Sequence, residues 1–64
     1  MLTEREKDVL KLLKNGFTNK EIAEKLCISA HTVKAHVAAI LCKMKVKNRL
    51  QAVLLAEKYL NFRS

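Results

Sequence analysis

The stretch Ser29-Ala30-His31-Thr32-Val33-Lys34-Ala35-His36-Val37-Ala38-Ala39-Ile40-Leu41-Cys42-Lys43-Met44 decides the fold. At helical periodicity Val37, Ile40 and Met44 fall within about 40° of Val33, which makes one apolar stripe for a core. Ser29 precedes the stripe as an N-cap, its hydroxyl placed to accept from the first free backbone amides. The opposite face holds His31, Lys34, Ala35, Ala38, Cys42 and Lys45, centred roughly 150° from the stripe. A solvated helix back ordinarily mixes Glu with Lys at i,i+4 spacing. This one carries no acid and several very short side chains.

Working outward, Cys27-Ile28-Ser29 reads as a tight connection with Ile28 turned inward. Before it, Thr18-Asn19-Lys20-Glu21 has the capping-box pattern and opens a short helix with Ile22, Ala23 and Leu26 on its apolar face. A short helix, a tight turn and a longer helix make the helix-turn-helix plan, and Ala23 is small enough for the two helices to cross closely. Upstream, Leu2 and the capping box Thr3-Glu4-Arg5-Glu6 start a helix that buries Val9, Leu10, Leu12 and Leu13. Asn15-Gly16 stops it, because glycine takes a left-handed cap without steric cost. Phe17 follows as an apolar plug.

Downstream, Lys45-Val46-Lys47 makes a second short connection anchored by Val46. Asn48 is an N-cap, with Gln51 at the matching capping-box position. The last helix has Ala52, Val53, Ala56 and Leu60 on its core side and Tyr59 at the margin. Leu50, Leu54 and Leu55 point away, a surface expected to meet a second copy of the chain, the competing readings being contact with a neighbouring domain and simple exposure. The predicted fold is all-α: a compact four-helix domain over residues 1–64, with helices at about 4–14, 19–26, 30–44 and 48–60.

The chain has 64 residues and a net charge of +7, so it makes one small domain with few elements. No acidic residue lies between Glu24 and Glu57, whereas Lys25, Lys34, Lys43, Lys45, Lys47 and Arg49 all do. The second half is therefore expected to face a polyanion. A B-DNA major groove admits one helix and presents phosphates and base-edge acceptors, which suits the acid-free face of the third helix. The competing readings are an alanine face chosen for helix propensity and a basic helical adaptor for an acidic protein or membrane surface.

The longest apolar run, Val37 to Cys42, falls far short of the ~18–20 residues that a membrane span needs. No signal-peptide pattern occurs, and the cytoplasm is the expected compartment. Cys27 and Cys42 have no metal-ligand spacing, so neither a metal nor another cofactor is expected. Paired carboxylates beside a base and a Gly-rich phosphate loop are both absent, so no catalysis is expected.

Leu2-Thr3-x-Arg5-Glu6, Val9-Leu10, Gly16, Asn19-Lys20-Glu21-Ile22-Ala23, Leu26, Ile28-Ser29, Thr32-Val33-Lys34-x-His36, Lys43-Met44-x-Val46, Asn48-Arg49 and Gln51-Ala52-Val53 together resemble the LuxR-type helix-turn-helix domain. The promoter-reading helix-turn-helix of sigma factors shares the Arg-Glu opening and the Thr-Val-Lys pattern. It is set apart by His36 and by the Val46-x-Asn48-Arg49 entry into a fourth helix.

The resemblance implies transcriptional control in bacteria, with double-stranded DNA as partner and the third helix in the major groove. It implies an N-terminal regulatory domain in most members; a homodimer through Leu50, Leu54 and Leu55 is expected from their outward position, and RNA polymerase is a further expected partner. Carried over by position, the base readers are Lys34, Ala35 and Ala38. Lys34 can donate to guanine O6 and N7, and the alanines can touch a thymine methyl. Many members carry a longer side chain where this chain has Ala38, so modest direct readout is expected, with more reliance on phosphates and DNA shape.

Phosphate contacts are assigned to Thr18, Asn19 and Lys20 at a helix N-terminus, to Ser29, His31, Thr32 and His36, and to Lys45 and Lys47. His36 also flanks the core stripe, where packing is the competing role, and Thr32 stands beside the Ser29 cap. Arg49 is read as a structural ion-pair or carbonyl ligand, and Lys43 as a side chain snorkelling at the core margin.

Overall fold

Threonine opens the first two helices in the same way. In the computed structural model, which describes residues 1–60, Thr3 caps α1 (Glu4–Lys14) and Thr18 caps α2 (Asn19–Leu26). The Thr3 Oγ1 accepts from the Glu6 amide at 3.1 Å and the Thr18 Oγ1 from the Glu21 amide at 3.2 Å. Each glutamate Oε1 in turn accepts from the threonine amide at 2.9 Å. Both capping boxes expected from the sequence are thus complete. Ser29 caps α3 (Ala30–Met44), its Oγ accepting from the Thr32 amide at 3.0 Å.

Asn48 caps α4 (Arg49–Leu54) as expected, accepting from the Gln51 amide at 2.9 Å. The reciprocal bond differs from the standard box. Gln51 Oε1 accepts from the amide of Lys47 at 2.7 Å, one residue before the cap, and so ties the connection itself to the helix.

Three helices end alike. After α1, Gly16 takes a φ of +88°, with Gly16 N–H bonded to Leu13 C=O at 3.0 Å and Phe17 N–H to Leu12 C=O at 3.1 Å. That is a Schellman closure around glycine. Cys27 (φ 58°) and Lys45 (φ 59°) take the same left-handed role after α2 and α3. There the 6→1 bonds run from Ile28 N–H to Ala23 C=O and from Val46 N–H to Leu41 C=O. A non-glycine residue in this region costs about 1–2 kcal/mol. Burial of the next residue offsets it, since Ile28 and Val46 both pack against the core.

The last predicted helix, 48–60, is corrected: it breaks at Leu55 into α4 and α5 (Ala56–Leu60). Leu55 sits at φ −102°, ψ 6°, and the Lys58 amide reaches Leu55 C=O in a tighter i→i−3 bond. No Gly or Pro marks the break. Ala52 before the break and Ala56 and Leu60 after it are all buried. The described residues thus form five helices rather than four, still all-α.

The α1 helix is the hub, packing against all four others. Val9, Leu10, Ile22, Val33, Ile40, Ala52 and Ala56 are completely buried around it. One buried charge joins them. Glu6 lies beneath α3, where Lys43 Nζ donates to its two carboxylate oxygens at 2.8 and 3.1 Å. Lys43 therefore ties α3 to α1, a stronger role than snorkelling. With the Thr3 amide, this bond holds the Glu6 carboxyl below the usual glutamate range.

Candidate nucleic-acid interface

The α3 stripe Val33, Val37, Ile40 and Met44 is buried, which turns the opposite face outward. His31, Lys34, Ala35, Ala38, Cys42 and Lys45 are all exposed, as their helical angles require. The short alanine side chains leave the backbone of α3 open to close approach between two lysines. His36 and Thr32 are half-buried at the two margins of this face. The Ser29 and Thr32 hydroxyls stand 2.9 Å apart and bond to each other, so both are partly committed to the cap.

The start of α2 lines an open cleft with Arg49. Thr18 and Lys20 are exposed and Asn19 is half-buried. The Thr18 oxygen accepts from Glu21, leaving its O–H free to donate. The side-chain oxygen of Asn19 is already engaged by Arg49 at 2.8 Å. Arg49 also donates to the Phe17 carbonyl at 3.0 Å, matching the carbonyl-ligand reading. Lys47 is exposed, and Lys45 projects from the left-handed closure of α3. Leu50 and Leu54 of α4 and Leu55 at its end are 65%, 73% and 38% exposed.

Charge is distributed unevenly. Every ion pair among the described residues includes a residue of α1: Arg5–Asp8, Lys7–Glu4, Lys14–Glu57 and Lys43–Glu6. Lys20, Lys34, Lys45, Lys47 and Arg49 have no carboxylate partner among those pairs. Apart from Lys43, the cations of α2, α3 and the α3–α4 connection thus have no carboxylate partner among the described residues. Lys25 lies 4.7 Å from the Phe17 ring centroid, a cation–π contact that covers the plug.

Sequence reasoning missed the partners of Glu6, Asn19 and Lys25. The first two bonds span 37 and 30 positions, and no local pattern encodes them. The only signal for Glu6 was Lys43 at the core margin of α3.

A short helix, a left-handed turn and a longer helix with a bare, basic outer face define a helix-turn-helix module. Residues 1–56 match the family described as bacterial regulatory proteins, luxR family, and the chain belongs to that family of DNA-binding transcription regulators. It is 57% identical over 58 residues to the transcriptional regulatory protein YhcZ of Bacillus subtilis. It is 50% identical over 56 residues to the response regulator protein VraR of Staphylococcus aureus and of Staphylococcus epidermidis. These matches take in 91% and 88% of this chain but 27% of each relative. The chain spans about a quarter of the length of the curated relatives it matches. Among the described residues, no helix is long and apolar enough to cross a membrane.

Proposed function

We propose that this chain is a double-stranded DNA-binding module of a bacterial transcription regulator and lays α3 in the major groove. The supporting observation is the set of cations without carboxylate partners around a small-residue, acid-free helix face. Lys34 reads a guanine edge, and Ala35 and Ala38 lie against the groove floor, where thymine methyls fit. Thr18, Asn19, Lys20, Ser29, His31, Thr32, His36, Lys45 and Lys47 form the phosphate-facing rim, with α2 directing its N-terminal amides at the backbone.

Two copies bind two half-sites, joined on the exposed leucines Leu50, Leu54 and Leu55, so α4 sets the spacing. An N-terminal regulatory domain, as in a response regulator, controls the pairing in the whole protein. The module works in the cytoplasm, where RNA polymerase is a further partner, and no catalytic step is assigned to it.

Selection of bound sequences from a random duplex library tests this reading. The expected result is a paired half-site motif. Retention of DNA with no enriched motif contradicts base reading by Lys34. No retention at low salt contradicts DNA binding itself and favours a basic adaptor for an acidic protein or membrane surface.

A further inference from the structure

Arg49 opens α4, yet its side chain works on α2. One guanidinium nitrogen, Nη1, donates to Asn19 Oδ1 at 2.8 Å and the other, Nη2, to the Phe17 carbonyl at 3.0 Å. The two helices do not otherwise pack against each other, so this fork directly ties the entry of the helix-turn-helix to α4. Both acceptors are neutral, and no ion pair among the described residues includes Arg49. Its positive charge therefore remains uncompensated. The guanidinium lines an open cleft of about 490 Å³ together with Phe17, Thr18, Asn19 and Lys20.

Donor chemistry then fixes the asparagine. A guanidinium has only donors, so the Asn19 oxygen must face it and the –NH2 must face away, since the flipped amide would set donor against donor. We propose that Arg49 is a positioning residue for DNA binding: by holding Asn19 Oδ1 it presents the Asn19 –NH2 to a backbone phosphate. The inference rests on the reading above, in which the start of α2 touches the DNA backbone. It adds that an α4 residue controls that contact, so the helix assigned to pairing and the phosphate rim share one side chain.

A double-mutant cycle on the whole chain tests it, read by fluorescence anisotropy with a labelled mixed-sequence duplex at low salt. The substitutions are Asn19→Ala and Arg49→Lys, which keeps the charge but cannot fork. Each single change is expected to weaken binding about three- to ten-fold, and the double variant no further than the weaker single one. Additive losses in folded variants, or full binding by Arg49→Lys, overturn the inference while leaving the proposed function standing. Failure of the unsubstituted chain to bind overturns that function instead.

Should Arg49→Lys not fold, nuclear magnetic resonance of the unsubstituted chain decides. The Asn19 side-chain –NH2 signals are expected to shift on adding the duplex, while the Arg49 side-chain signals keep their bonded positions. Asn19 signals that stay put overturn the inference.

Discussion

Glu6 does two jobs with one carboxylate. It completes the α1 capping box and accepts Lys43 Nζ at 2.8 Å. The Lys43 bond and the Thr3 amide lower its folded pKa, against the opposing effect of burial. A depressed folded pKa means that the pair's stabilisation is present above the ordinary glutamate range. It is lost as pH falls through the lower folded value. Glu6→Gln keeps the capping geometry and removes the charge. Thermal melts are expected to show the variant less stable at neutral pH, by about 1–2 kcal/mol given the partial exposure of Lys43. The gap to the unsubstituted chain closes in acid. A gap that persists at the lowest pH contradicts this assignment.

Lys34 poses the corresponding functional question. Lys34→Ala is expected to lower discrimination between a selected site and a scrambled one by about 1–3 kcal/mol. Equal losses on both duplexes, measured by titration, make it a phosphate contact instead.

At the scale of the element, α3 is readable because each of its features is local. Ser29 caps it, the Val33-to-Met44 stripe sets its buried side, and the missing acids mark the other. The two threonine capping boxes are local in the same sense, as is the stop at Asn15-Gly16. The left-handed closures at Cys27 and Lys45 are not, because neither residue type favours that conformation. What holds them there is the burial of Ile28 and Val46, a tertiary effect. The break at Leu55 has no local signal either, with neither Gly nor Pro beside it. That break leaves Leu54 73% exposed at the end of α4. Leu54→Glu is expected to leave the melting temperature nearly unchanged, since an exposed substitution shifts stability by less than about 0.5 kcal/mol. Sedimentation is expected to show weaker self-association on DNA. A large loss of stability contradicts the surface assignment.

For the whole molecule, charge placement organises the account. The α1 helix collects the ion pairs and the core, and apart from Lys43 the cations of α2, α3 and the following connection have no carboxylate partner among the described residues. The overall basic imbalance and its location were legible from the acid-free run between Glu24 and Glu57. Which cations would be neutralised was not, because pairs such as Lys43–Glu6 join distant segments. Binding driven by these cations falls with salt through counterion release. Lys47→Ala is expected to weaken binding to selected and scrambled duplexes alike and to flatten the log–log salt slope by about one unit. An unchanged slope removes Lys47 from the phosphate rim.

The most direct measurement of the central claim maps backbone amide shifts along the unsubstituted chain as duplex DNA is added. The account predicts the largest changes at His31, Lys34, Ala35, Ala38 and Cys42 and at the start of α2, with the outer residues of α1 unmoved. Changes centred on α1, or none on the outer face of α3, would contradict it.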